Sequence, residues 1–208
     1  MKKAPLVKLL VFSLLSGAAL NAHAQAKSSS TLNSELSQYK ISLEESGSDP
    51  VISDYKFRVK DMIFHILTGE TASRRIEFEI IRNISPETAS RYIESRYAVV
   101  RDLYDPKSIP YGSAITRDTQ CPEDMKPEEL SVKVLDKPVQ VLLVNASRRY
   151  ALGVWEKSAA YKKAGFLVFH DELNRTLFQM IIFADLKDFD SGKLTKILTD
   201  IKKTEPAG

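Results

Sequence analysis

Few side chains in this 208-residue chain are reactive enough to build a catalytic centre, so their spacing decides what chemistry is open to it. There is one cysteine, Cys121, and three histidines, His23, His65 and His170. A cysteine nucleophile needs an imidazole beside it to raise its thiolate fraction. His170 is the only histidine to weigh, because His65 falls inside a strand-like run and His23 lies near the N-terminus. Cys121 is followed by Pro122, Glu123 and Asp124, and those carboxylates keep a thiol protonated and slow to react. A nucleophilic serine has no Gly-x-Ser-x-Gly elbow to sit on, and Tyr111-Gly112-Ser113 is only a glycine-containing turn. Carboxylate pairs occur at Glu44-Glu45, Glu123-Asp124 and Glu128-Glu129, yet in a chain with 27% charged residues such pairs arise without function. His170-Asp171-Glu172 offers metal-ligand types, but neighbours on a strand point to opposite faces, so the cluster reads as turn polarity. Neither a phosphate-cradling glycine loop nor a dinucleotide fingerprint is present. The sequence therefore implies no metal or other cofactor and favours a non-catalytic protein.

The N-terminus gives an address. Lys2, Lys3 and Lys8 precede and enter an apolar run from Leu6 to Leu20, followed by Ala22-His23-Ala24 and Ala24-Gln25-Ala26, the small-x-small pattern of a signal-peptidase site. That run is shorter than the roughly 20 apolar residues that cross a bilayer, so residues 1–26 are expected to be a cleaved export signal. A soluble periplasmic or secreted product is the corresponding expectation. Three of the 30 basic residues lie in that signal, and the remainder balance the 27 acidic ones. A neutral mature chain lacks the global basic field that nucleic acid or anionic lipid would require. A lone cysteine in an oxidising compartment forms no internal disulfide, and stability must come from the core. About 180 mature residues suffice for one domain that buries some 70% of its unfolded surface.

The elements that would position these residues follow from hydrophobic period. Residues 27–34 are polar and serine-rich and read as a flexible leader. The stretch 35–45 fits a short strand or a helix face equally. Tyr55, Phe57 and Val59 alternate, Met62, Phe64 and Ile66 alternate after a phase slip at Lys60-Asp61, and the slip predicts a bulge or break. A turn at 68–71 leads to Ile76, Phe78 and Ile80, which alternate with Arg75, Glu77 and Glu79, a strand with one face in the core and one in water. Ser85 as N-cap and Pro86 at the first helical position start a helix, and Ala89, Tyr92, Ile93, Tyr97, Val100 and Leu103 form its apolar stripe. Asp105-Pro106 ends it. Residues 105–129 then hold four prolines and no sustained period, a length of irregular chain that usually signals function or disorder.

Beyond that loop, a short helical turn is expected at Pro127-Glu128-Glu129. Val139–Val144, Tyr150–Trp155, Phe166–Phe169 and Thr176–Ala184 read as strands joined by turns at 145–149 and 171–175. Leu194, Ile197, Leu198 and Ile201 mark a closing amphipathic helix. Arg74-Arg75 and Arg148-Arg149 sit at hairpin ends, where they read as edge charges that discourage strand pairing. The expected fold class is α+β: an antiparallel sheet of consecutive hairpins, covered on one face by two amphipathic helices in a two-layer sandwich.

On that scaffold the 105–129 loop is the expected binding element, because loops on rigid frames carry recognition. Tyr104, Tyr111 and Cys121 are the expected contact residues, and the partner is an envelope protein or cell-wall component. An alternative is a small-ligand carrier with an apolar pocket between sheet and helix, lined by Phe78, Trp155, Phe166 and Phe178. A third, less supported, is an envelope hydrolase.

Overall fold

Leu177 to Ile182 is apolar but for one glutamine, and Ala164 to Phe169 is apolar throughout, the composition of strands buried on both faces rather than one. A computed structural model describes residues 30–43, 49–105, 126–145, 148–151, 154–157, 163–184, 196–198 and 201–203. In chain order its elements are α1 (Leu32–Ser37), β1 (Ile41–Leu43), β2 (Val51–Val59), β3 (Met62–Glu70), β4 (Arg74–Arg82), α2 (Pro86–Leu103), β5 (Glu128–Val134), β6 (Lys137–Asn145), β7 (Arg148–Ala151), β8 (Val154–Lys157), β9 (Lys163–Asp171), β10 (Thr176–Ala184) and β11 (Ile201–Lys203). Seven strands form one antiparallel sheet in the order β2-β3-β4-β10-β9-β6-β5. β1 pairs with β11 and β7 with β8, each as a two-stranded ribbon.

The α+β class and the antiparallel pairing are as the sequence implies; the coverage is not. Both faces of the sheet are buried. Ile76, Phe78 and Ile80 of β4 share a core with Phe169, Phe178 and Met180, closed over by Leu32 and Leu36 of α1, by Ile41, Leu43 and Ile201, and by Ile197 and Leu198. This is the terminal face. The opposite face, with Phe64, Ile81, Phe166, Leu177 and Ile181, packs under Ala89, Tyr97 and Val100 of α2. The chain's long helix and its C-terminal helical residues, 196–198, thus contribute to different faces. Ile201, expected in the closing helix, instead pairs with Leu43 in β11.

Local chemistry explains the turns. The phase slip at Lys60-Asp61 is a two-residue hairpin turn, with Lys60 at φ 54° and Val59 opposite Met62. Leu135 and Asp136, both at positive φ, make a second tight turn between β5 and β6, in the primed geometry that matches strand twist. The helical turn expected at 127–129 is absent, because Glu128 and Glu129 pair opposite Leu143 and Leu142. β6 pairs with β5 and β9, not with the strand that follows it. The polar leader also ends earlier than residue 34: Leu32 is fully buried, and its side chain lies 3.1 Å from where a Cβ on Gly69 would stand. A Cβ at 69 would require Leu32 of α1 to shift by a few tenths of an ångström.

The start of α2 is as the sequence requires. Ser85 Oγ accepts from the Thr88 N–H at 3.2 Å, and Pro86 occupies the first turn. That cap contributes about 1 kcal/mol.

Candidate functional site

The helix stripe at 89, 93, 96, 97 and 100 includes one residue that hydropathy alone would place in water. Arg96 is 1% exposed, and its Nη2 donates to Glu79 Oε2 at 2.9 Å. Tyr92, one turn earlier, donates to the same carboxylate at 3.2 Å and receives a hydrogen bond from Arg96. Burial pushes the Glu79 carboxyl above its ordinary range against the pull of Arg96, and pushes the Tyr92 hydroxyl up as well. Glu77 lies beside it on the same face, 7% exposed and paired with Arg75 at 2.7 Å, and burial raises its carboxyl too. The water-facing side expected for β4 is therefore a buried ionic layer. The alternation of Arg75, Glu77 and Glu79 reports polarity, whereas the depth of Glu79 is set by Tyr92 and Arg96 of α2 lying over it.

Further along α2, the helix reaches into the sheet itself. The β6–β9 ladder stops at Val141 opposite Leu167. At the next position the Tyr97 hydroxyl takes over, donating to the Gln140 carbonyl and accepting from the Val168 N–H at 3.0 Å. Its ring meets Phe166 edge-on at 5.3 Å. Burial, opposed by the Val168 N–H and Arg101, pushes the hydroxyl up to about 12, so it stays a neutral donor. Arg101, one turn on, donates from Nε to Glu129 at 2.9 Å and from Nη2 to the Gln140 side chain at 2.9 Å, and Gln140 donates to Glu129 at 2.7 Å. These three residues come from α2, β5 and β6 and close a hydrogen-bonded ring. Glu129 and Gln140, with Leu130, Ser131 and Pro138, line a shallow open depression of about 380 Å³. α2 ends at Leu103, just beyond Arg101, and β5 begins at Glu128, so the ring ties together the two described ends on either side of residues 106–125.

A second polar group lies on the terminal face near β2. His65 of β3, 1% exposed, shares its Nε2 with Asp54 Oδ1 at 2.8 Å and its Nδ1 with the Tyr39 hydroxyl. Arg82 lies over the Tyr39 ring, 4.2 Å from its centroid. Burial lowers His65 despite Asp54, and burial also pushes Tyr39 up to about 12. A neutral phenol, a neutral imidazole and a carboxylate in line form a latch that ties the turn after α1 to β2 and β3. Among the described residues, no group of three or more His, Cys, Asp or Glu is placed to hold a metal. Asp171 accepts from Asn174 and pairs with Lys203, and Glu172 pairs with Lys137.

The residues singled out from sequence fare unequally. Tyr104, expected as a contact residue, is 6% exposed and caps the end of α2, where it belongs to the core. Tyr111 and Cys121 lie outside the described residues, as does the Trp155 side chain. Phe78 and Phe178 are on the terminal face and Phe166 is on the other, so these three cannot line one pocket; all are at most 4% exposed.

No family model, curated protein or solved structure matches this chain. Function must be argued from the residues themselves. Sequence reasoning missed Arg101, Glu129 and Gln140, which carry no motif. It also passed over Arg96, whose place within the apolar stripe was the available signal.

Proposed function

We propose that this chain is an exported, non-catalytic binding protein that takes an envelope protein or cell-wall component at the corner where residues 105–129 leave and rejoin the fold. The observation that carries this reading is the Arg101–Glu129–Gln140 ring on the rim of the open depression. A long loop binds well only when its ends are held, because each disordered residue fixed on binding costs affinity. Here both described ends are fixed to a sheet whose two faces are packed, and recognition elements are commonly carried between such fixed ends. Export rests on the N-terminal segment described above. The carrier alternative loses its main support with the division of Phe78, Phe166 and Phe178 between faces.

The experiment is a pull-down from envelope extract with the chain and with a variant lacking residues 107–118. We expect capture to be lost while thermal unfolding is retained. Equal capture by both would overturn the loop as binding element, and processing at residue 26 in cell fractions tests export separately.

A further inference from the structure

The two edges of the seven-stranded sheet are not alike. β5 carries Glu128, Glu129 and Lys133, and such charges discourage another strand from adding on. β2 carries Ile52, Tyr55 and Val59, three of the four exposed large hydrophobic residues among those described, with Tyr55 at 63% exposure. Register places Tyr55, Phe57 and Val59 on the same face as Phe64, in a row where the Phe57 ring stacks on Phe64 at 4.8 Å and leans on Tyr55 at 5.9 Å. Asp54, Lys56 and Arg58 occupy the other face of the strand. β2 is nine residues long; the Ser30 carbonyl accepts from the Val51 N–H at its start, and beyond Val51 no strand among those described pairs with its outer side.

We propose that β2 pairs antiparallel with β2 of a second copy of this chain, in the register that sets Tyr55 opposite Tyr55 of the partner. A perpendicular two-fold axis preserves the faces of the sheet, so the choices are registers in which one residue opposes itself. Centring on Asp54 sets carboxylate against carboxylate, centring on Lys56 sets ammonium against ammonium between two Asp54–Arg58 pairs, and centring on Phe57 sets Lys56 against Arg58. Like charges directly opposite destabilise a pair. Centring on Tyr55 opposes Asp54 to Lys56 twice, once on each side of the axis, with no like charges opposed, and sets the two exposed tyrosines against each other on the opposite face. The apolar face then continues across the junction at Tyr55, with Ser53 opposite Phe57, and the sheet doubles without a further edge of the β2 kind. The contact is at the small end of stable interfaces, so the dimer dissociates on dilution through the micromolar range.

The test uses protein expressed from the full-length gene. Sedimentation velocity across a dilution series should show a monomer–dimer equilibrium that Lys56→Glu, exposed and outside the core, weakens at least tenfold with unfolding unchanged. In a Cys121→Ser background, Tyr55→Cys should form a disulfide-linked dimer under mild oxidation, because self-opposed Cα atoms lie within bonding reach. Phe57→Cys should not, since its own copy would lie four strand residues away, roughly 13 Å. A monomer at all concentrations overturns the proposal. So does a dimer indifferent to Lys56→Glu, or equal cross-linking at the two positions, either of which would assign association to another surface.

Discussion

The two faces of the seven-stranded sheet are built from the same strands and held by different physics. On the terminal face, β4 and β10 present Ile76, Phe78, Ile80, Phe178, Met180 and Ile182, with Phe169 stacked on Phe178 at 5.0 Å. Each fully buried side chain of that size contributes about 1.5–3 kcal/mol, with no demand on direction. On the α2 face the intervening residues of the same strands include Glu77, Glu79 and Gln179, and α2 answers with Tyr92, Arg96 and Tyr97. Polar atoms of Arg75, Glu77, Arg96 and Gln179 on that face have no hydrogen-bond partner among the described residues. Apolar burial tolerates small shifts of one layer over another, whereas a buried ion pair admits one position of the helix. The α2 face therefore gives up stability for a fixed helix, and with it a fixed position for Arg101 at the root of the loop.

The largest expected effect breaks that pair. Arg96→Leu leaves Glu79 buried and uncompensated, and should lower the unfolding free energy by about 3–5 kcal/mol in urea titration. Arg96→Leu combined with Glu79→Gln should recover a good part of the loss. If the single variant is no less stable than the parent, the two faces do not differ as argued. The matching change on the terminal face, Met180→Leu, keeps a fully buried apolar side chain of similar volume and should cost less than about 1.5 kcal/mol.

Acid separates the faces by sign. Burial lowers His65 on the terminal face, so its neutral form stabilises the fold above the ordinary histidine value, and stability falls as pH drops through 6.5 toward the lowered value. Burial raises Glu77 and Glu79, so their contribution runs the other way: it is full at low pH and is lost as pH rises through the raised values. Between pH 7.5 and 5.5 the two contributions oppose each other, and the histidine's share is a decline in melting temperature of about 2–4 °C for each ~1 kcal/mol lost. His65→Gln should flatten that decline. A slope unchanged by the substitution would mean that the latch of Tyr39, His65 and Asp54 stays closed in acid.

How much of this was legible in the sequence depends on whether the signal was local. The α2 stripe, its Ser85 cap and the Asp171–Arg175 turn are properties of adjacent residues, and they were readable. The slip at Lys60-Asp61 was visible but ambiguous, since a bulge and a two-residue turn both reverse the buried face. The depth of Glu77 and Glu79 was not readable, because alternation records polarity and the helix that buries them lies on another element. The β6–β9 pairing, and the gathering of Tyr39, Asp54 and His65, depend on chain segments far apart in sequence. Arg101, Glu129 and Gln140 are illegible for the same reason.

Those last three residues carry the smallest stability effect and the sharpest functional one. Arg101 and Glu129 are about half exposed, at 43% and 50%. An exposed ion pair contributes at most about 1 kcal/mol, so Arg101→Ala should shift unfolding by no more than that. Lost with it are the Arg101 hydrogen bonds to Glu129 of β5 and to the Gln140 side chain of β6, while the Tyr97 bond to the Gln140 carbonyl and the ionic layer stay intact. If the held ends of residues 105–129 matter for recognition, Arg101→Ala should weaken partner capture several-fold at nearly unchanged stability, and Arg101→Lys, which keeps the charge but cannot span both Glu129 and Gln140, should weaken it to an intermediate degree. Capture that tracks stability alone would assign the ring to packing. It would then be the apolar terminal face and the ionic α2 face, rather than the corner between α2 and β5, that account for everything the described residues do.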